Sequence, residues 1–106
     1  MEIINKFPAD MDVRTEYKLL KSSDIKAMKD AADSILPVNA WVHYLDDGKE
    51  VLALETTDGE VFATISKVFI PEFLTLVDVF GADLDEIKVF SKTSRAGRSF
   101  ISCTIA

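Results

Sequence analysis

Residues 38–106 contain the pattern that decides the fold: VNAWVHYLDDGKEVLALETTDGEVFATISKVFIPEFLTLVDVFGADLDEIKVFSKTSRAGRSFISCTIA. Three runs of alternating apolar and polar residues are separated by the turn sequences Asp-Asp-Gly-Lys and Asp-Gly, in which glycine can adopt a positive φ. These runs predict a three-stranded antiparallel meander. A nearly uncharged segment with helical spacing follows at residues 67–80, and two further strand-like runs occupy residues 85–91 and 98–105.

This order of strands and helix predicts a mainly β protein with helices, built as a five-stranded antiparallel barrel of the oligonucleotide/oligosaccharide-binding (OB) type. The helix at residues 67–80 is expected between strands three and four, packed against one end of the barrel. Ser66 can cap this helix, Pro71 fits its first turn, and Gly81 suits the residue after its end. OB-folds bind their ligands through a sheet face and loops, so the fold favours a binding function.

The N-terminal third of the chain, residues 1–37, is predicted to extend this barrel within a single domain. Residues 1–12 have no clear periodicity and are expected to form a mobile arm or an added edge strand. Residues 13–21 alternate between apolar and charged side chains, which predicts a strand. Residues 22–36 begin with two serines and carry apolar residues three or four apart, which predicts a short helix that ends before Pro37.

The charge of the chain is unevenly distributed. Its 106 residues include 12 basic and 18 acidic side chains, a formal net charge of −6. An acidic balance counts against nonspecific nucleic-acid binding, because that binding draws most of its affinity from Lys and Arg at phosphates. However, no acidic residue follows Glu86, whereas four basic residues do. The end of the chain can therefore form a local positive surface.

The sequence offers little for catalysis or metal binding. Cys103 is the only cysteine and His43 the only histidine, which excludes an internal disulfide and metal sites with several such ligands. The acidic pairs at residues 46–47 and 85–86 lie at predicted turns without further ligands. We therefore expect neither an enzyme nor a cofactor. No apolar run reaches the ~18–20 residues of a membrane span, and the single cysteine is typical of a reducing compartment such as the cytoplasm.

Two segments also carry a resemblance to a known family. TTDGEVFATISKVFIPEFLTLVDVFG, followed by IKVFSKTSRAGRSFISCTI, resembles the single-stranded DNA-binding proteins of phages of Gram-positive bacteria, including the protein-primed phages. The shared features are an aliphatic strand ending in Asp-Gly, an aromatic strand leading into Ile65-Ser66-Lys67, an Ile-Lys-Val strand, and the loop at residues 93–98. Their order and spacing carry the resemblance, which extends over residues 38–106. The turn at residues 46–47 is acidic, which departs from the basic loop expected of a DNA binder at this place.

The resemblance implies sequence-independent binding of single-stranded DNA, coating and protecting exposed strands during phage DNA replication or recombination in the host cytoplasm. Phage or host replication proteins are candidate partners, and the oligomeric state stays open between monomer and dimer. Such binding needs cations along the phosphates and exposed aromatic rings that stack on bases. The candidate nucleic-acid-binding residues are Lys88, Phe90, Lys92, Arg95, Arg98, Trp41, Phe62 and Lys67.

Five of these candidates lie near the end of the chain. Phe90 shares a strand side with Lys88 and Lys92, an arrangement typical of a stacking platform flanked by cations. Arg95 and Arg98 lie in the loop between the last two strands, one of the loops that OB-folds use for binding. The alternative interpretation is that this loop is only a soluble hairpin tip.

The other candidates have an equally good structural interpretation. Trp41 and Phe62 lie on predicted strands, so each ring faces either the barrel interior or the outer sheet. Lys67 can contact a phosphate together with backbone N–H groups at the helix start, or it can be an ordinary solvated lysine. Phe100 alternates with polar residues and can extend the outer surface.

A second function fits the same fold. The net charge of −6 and the acidic first turn favour an acidic OB-like module that binds a replication protein, or that inhibits a DNA-binding factor by mimicking DNA. The basic loop and the Phe90 side favour DNA binding.

Overall fold

Seven strands form one mixed sheet in the computed structural model, which describes residues 1–106. The strands are β1 (Glu2–Phe7), β2 (Lys26–Ala27), β3 (Ser34–Asp46), β4 (Lys49–Thr56), β5 (Val61–Thr64), β6 (Glu86–Thr93) and β7 (Ser99–Ile105). The helices are α1 (Val13–Lys21) and α2 (Phe69–Phe80), and 3₁₀ turns span Met28–Ala31 and Gly81–Asp83. The strand order is β2-β5-β4-β3-β6-β7, with β1 also paired to β3.

The long strand β3 joins the two parts of this sheet. Its residues 34–37 pair with β6, whereas residues 38–46 pair with β4 and residues 41–45 also pair with β1 on the other edge. All these pairings are antiparallel; only the short β2 runs parallel to its neighbour, β5. The sheet curls into a half-barrel that stays open, because β2 and β5 at one end of the strand order do not pair with β7 at the other end.

Helix α2 fills the inside of the curled sheet. Phe69, Ile70 and Phe73 are fully buried, and the Trp41 ring meets Phe73 edge-on at 5.7 Å between ring centroids. The helix begins where Ser66 Oγ accepts hydrogen bonds from the N–H groups of residues 68 and 69, at 3.3 and 3.0 Å. It ends at Gly81, whose φ of 55° belongs to the left-handed region. The main core therefore lies between this helix and the sheet.

Helix α1 covers the opposite face of β3 and β4. Its Leu19 is fully buried and packs with Val42, Tyr44 and Ala53 in a second, smaller apolar cluster. Residues 40–44 of β3 are consequently buried on both faces, with odd-numbered Trp41 in the main core and even-numbered residues beneath α1. Burial of the Tyr44 side chain raises the pKa of its hydroxyl, and the nearby Asp46 carboxylate adds to this effect.

The predicted strand at residues 13–21 is wrong, because this segment forms helix α1. The Asp12 carboxylate accepts a hydrogen bond from the Thr15 N–H at 2.7 Å, an N-cap that keeps the pKa of Asp12 below its usual value. Glu, Lys and Leu are also strong helix formers. The side chains of Thr15, Glu16, Leu19 and Leu20 are buried or half-buried. Because they recur three to five residues apart, the buried side of this segment follows the helical period of 3.6 and not the strand period of two.

The predicted helix at residues 22–36 is also wrong. This segment contains β2, a 3₁₀ turn and the start of β3. Asp33 has a φ of 67°, which no α-helix accommodates, and Pro37 lies inside a strand rather than after a helix. The segment has a weak helical pattern, because Ser and Asp are poor helix formers. It pairs with the sheet instead, through residues 26–27 with β5 and residues 34–37 with β6.

The expectations for residues 38–106 are confirmed at the level of elements. The meander β3–β4–β5, the helix after it and the final hairpin β6–β7 all form, and the first residues form an edge strand, β1. The first hairpin turn has positive φ at both Asp47 (53°) and Gly48 (82°), as a two-residue type I′ turn requires. Neither helix is long and apolar enough to cross a membrane.

Glu72 fastens α2 to the edge strand β7. Its Oε1 accepts hydrogen bonds from the Ser102 hydroxyl at 2.6 Å and from the Cys103 N–H at 3.4 Å. Ser102 is fully buried, so its hydroxyl has no access to water as an alternative partner. The carboxylate thereby satisfies polar groups on the strand edge that would otherwise be unpaired.

Replacing Glu72 by Ala should lower the free energy of unfolding by about 1–3 kcal/mol, because a buried hydroxyl and a strand N–H lose their acceptor. Denaturant unfolding measures this directly. Asp78→Ala is the matched control, since it removes the same charge from an exposed position of the same helix and should change stability by less than about 0.5 kcal/mol. Equal losses in the two variants would contradict the role assigned to Glu72.

Candidate nucleic-acid interface

The outer side of the β6–β7 hairpin collects most of the predicted residues. Lys88 lies opposite Thr104, Phe90 opposite Ser102, and Lys92 opposite Phe100, so these six side chains share one side of the hairpin. The other side of the two strands turns Ile87, Val89, Ile101 and Cys103 into the main core. We call the solvent side, made of Lys88, Phe90, Lys92, Phe100 and Thr104, the hairpin face; Ser102 lies beneath Glu72 and is not part of it.

Phe90 and Lys92 are in contact on the hairpin face. The Lys92 ammonium lies 5.2 Å from the centroid of the Phe90 ring, within the range of a cation–π interaction. Phe90 is half-buried, whereas Lys88 and Lys92 are exposed on either side of it. The structure thus brings together an accessible aromatic ring and two cations, as the two-residue period of this strand predicts.

The hairpin tip holds Arg95 and Arg98 in an ordered turn. The N–H of Ser94 donates to the Arg98 carbonyl at 2.8 Å, and the Arg98 N–H donates back to the Ser94 hydroxyl at 3.2 Å. Gly97 has a φ of 80°, which closes the turn in the left-handed region. Both arginines are exposed at this tip, directly beyond Lys92.

The cations of the hairpin have no acidic partners. Three Lys–Glu ion pairs and one His43–Glu50 hydrogen bond form in the protein, and all of them join residues within 1–86. Lys88, Lys92, Arg95 and Arg98 take part in none of them. Residues 87–106 carry a net charge of +4, whereas residues 1–86 carry −10. The hairpin therefore presents the strongest concentration of unneutralised positive charge in an otherwise acidic protein.

Trp41 and Phe62 do not lie on this surface. Both rings are buried, so the expectation that one of them stacks on bases is wrong. Trp41 is 4% exposed and belongs to the main core. Phe62 is 6% exposed, and the Lys26 ammonium lies 5.8 Å from its ring centroid. Both rings point inward and help to fill the space between the meander and α2. The alternation of apolar and polar residues does not show which side of each strand faces this helix.

Lys67 lies in the turn before α2, exposed and without an ion pair. The helix N–H groups expected to assist it are already engaged, since Ser66 Oγ accepts from residues 68 and 69 and the Ser66 carbonyl accepts from Ile70. Lys67 can thus offer its own charge to a phosphate, but not the amide cluster of a free helix start.

A cleft of about 630 Å³ opens beside the hairpin, between the end of β5 and the start of β7. Ile65 and Ser66 line one side, and Ser91, Ser99 and Phe100 line the other. Of these residues, only Phe100 was singled out from the sequence as part of an outer surface. The cleft exists because β5 and β7 do not pair with each other. No local sequence pattern indicates whether two strands so far apart in the chain pair to close a barrel.

Cys103 lies in the core with its thiol 3.9 Å from the Phe69 carbonyl oxygen. Burial, together with the Glu72 carboxylate nearby, raises the pKa of this thiol from 9.0 to about 12. Since the thiolate is the reactive form, the native cysteine is both unreactive and inaccessible.

At about pH 8, we expect a thiol-specific reagent to modify Cys103 at least tenfold more slowly in the native protein than in urea, where the thiol recovers an ordinary pKa. Above pH 9 the unfolded state loses this proton first, so the thiol's contribution to stability should decline between about pH 9 and 12. The labelling rates with and without urea, followed by mass spectrometry, test the tenfold difference in thiol reactivity. Equal rates would mean that the thiol is accessible in the folded state.

The hairpin face and its tip bring together four cations and an aromatic ring, the groups that phosphates and bases require. Comparisons of the chain with protein-family models, curated proteins and solved structures gave no match. Function is therefore inferred from the residues and geometry of this chain.

Proposed function

We propose that the protein binds single-stranded DNA without sequence preference, through the hairpin face and the hairpin tip. The observation that carries this proposal is the combination of four unpaired cations with the accessible ring of Phe90 on one uncovered surface. Single-strand binding requires both features, a positive path for the backbone and aromatic rings for the bases. A merely soluble hairpin tip needs neither Phe90 nor its flanking lysines.

We further propose that β3–β7 form an open barrel of the OB type. In support, β3 pairs with both β4 and β6, and α2 lies between the third and fourth of these strands. The loop at residues 94–98 then corresponds to one of the two loops that OB-folds use for ligands. The hairpin tip and the hairpin face lie side by side, which suits an extended ligand.

Binding would proceed mainly through phosphate contacts. Lys88, Lys92, Arg95 and Arg98 neutralise backbone charges, while a base displaces the Lys92 ammonium from the Phe90 ring and stacks there, contributing about 1–3 kcal/mol. Each phosphate contact lowers the slope of log affinity against log salt by about 0.7, so four contacts give a shallow slope near −3. The affinity of one molecule is therefore modest, and binding of several molecules along one strand adds avidity.

The biological role that fits this activity is the coating of exposed strands in phage replication or recombination, in the cytoplasm of the host cell. The support is the family resemblance of residues 38–106 together with a binding surface that contains no base-specific recognition element. A surface of phosphate contacts and stacking is sequence-tolerant, because every base has a π face.

The Arg95→Glu/Arg98→Glu double variant should lower affinity for an oligo-dT of about 30 nucleotides by tenfold or more and make the salt slope shallower by about 1.4. Fluorescence anisotropy of a labelled oligonucleotide measures both quantities. Arg14→Glu/Lys21→Glu is the matched control, since it makes the same charge change at two exposed, unpaired residues of α1. If the two double variants lose affinity equally, the effect is one of net charge and the hairpin is not the site.

The acidic remainder of the protein favours a second function. Residues 1–86 carry a net charge of −10, as expected of a module that binds a basic partner or mimics DNA. Under that alternative, wild-type protein binds no oligo-dT at micromolar concentration and the hairpin variant behaves like the wild type. A replication protein of the phage or host would then be the ligand.

A further inference from the structure

We propose that the cleft between β5 and β7 holds one base of the bound strand, inserted between Ile65 and Phe100. This inference rests on the proposed function and adds a second contact site to it, next to the hairpin face. Ile65 follows the last residue of β5, Phe100 lies near the start of β7, and both residues line the cleft. A planar base fits between two apolar walls, where it loses contact with water on both faces.

Half of the residues that line the cleft are apolar, among them Ile65 and Phe100. Ile65 is 63% exposed, although the floor of the cleft is formed by well-buried Met28 and Ile101. A base that covers Ile65 and the half-buried Phe100 ring removes this apolar area from water.

The polar groups of the cleft suit any base. Ser91 and Ser99 are exposed at its side, and neither hydroxyl makes a hydrogen bond within the protein. A hydroxyl can donate or accept, so the same two groups can pair with the edge of a pyrimidine or a purine. The Thr64 and Ser66 hydroxyls are instead engaged by the N–H groups of residues 66, 68 and 69. The cleft therefore offers adaptable partners rather than a fixed pattern that would select one base.

The cleft is continuous with the hairpin face. Phe100 lies directly opposite Lys92 on the hairpin and also lines the cleft, so the two sites share this residue. Lys29 at the far wall and Lys67, next in sequence to cleft residue Ser66, carry exposed ammonium groups with no ion pair. A strand bound along Lys88, Phe90 and Lys92 can thus turn around the free start of β7 and place its next base in the cleft.

The experiment compares two ligands of equal length, an oligo-dT of about 30 nucleotides and the same sugar–phosphate chain with abasic residues only, by anisotropy of a terminal dye. Ile65→Ser and Phe100→Ala should each weaken binding of oligo-dT by about fivefold or more, the lower end of the effect of losing one base–side-chain contact. Neither should change binding of the abasic chain by more than twofold. Val79→Ser is the matched control, since it removes a comparably exposed aliphatic side chain from α2 outside the cleft.

Ile65 decides the outcome, because it lies outside the hairpin face and its exposed side chain contributes little to folding. Unchanged oligo-dT affinity in Ile65→Ser, with wild-type thermal unfolding, overturns the cleft proposal while leaving DNA binding by the hairpin intact. A dimer that dissociates in Ile65→Ser without change in DNA affinity, seen by sedimentation, also overturns it, since a second copy of the chain then occupies the cleft. If the wild type binds neither ligand, the proposed function itself fails.

Discussion

Burial of β3 on both of its faces is the constraint on which the rest of the structure depends. Trp41 packs edge-on against Phe73 of α2 on one side, while Val42 and Tyr44 lie against Leu19 of α1 on the other. Covering both sides of one strand takes both helices, so the outer face of the β3–β4 half of the sheet is not available to a ligand. The β6–β7 half has no helix over Lys88, Phe90 and Lys92 on its outer side, and only Ser102 on that side is buried, beneath Glu72.

Segregation of charge follows the same division of the molecule. The acidic groups and all three Lys–Glu ion pairs belong to residues 1–86, whereas the cations of the hairpin have no acidic partners. A phosphate chain near the acidic half is repelled, and near the hairpin it is attracted, so the fold itself orients an approaching strand. Under the proposed function, the net charge of −6 limits the affinity for DNA and does not preclude a site on the hairpin. Screening by salt shortens the range of both effects to about 10 Å at 0.1 M.

The accuracy of the sequence-based predictions depends on how local each determinant is. The meander, α2 and the final hairpin were predicted because their turns and caps lie within a few residues, as at Asp47-Gly48 and Ser66. Residues 13–36 were mispredicted because strand pairing with β5 and β6, together with the Asp12 cap, decided their structure. Period-two alternation correctly grouped Phe90 with its flanking lysines. It could not show that Trp41 and Phe62 turn inward, since that depends on what covers each side of the sheet, nor that β5 and β7 stay apart to leave a cleft.

The central claim is that a single strand lies on the β6–β7 half of the sheet, and amide chemical-shift mapping tests it most directly. Titrating ¹⁵N-labelled protein with oligo-dT at low salt should shift the amides of β6, β7 and the tip at residues 94–98. The amides of α1 and of the turn at residues 46–49 should stay in place. Shifts concentrated in α1 or in that acidic turn, with residues 86–104 unaffected, would contradict the account.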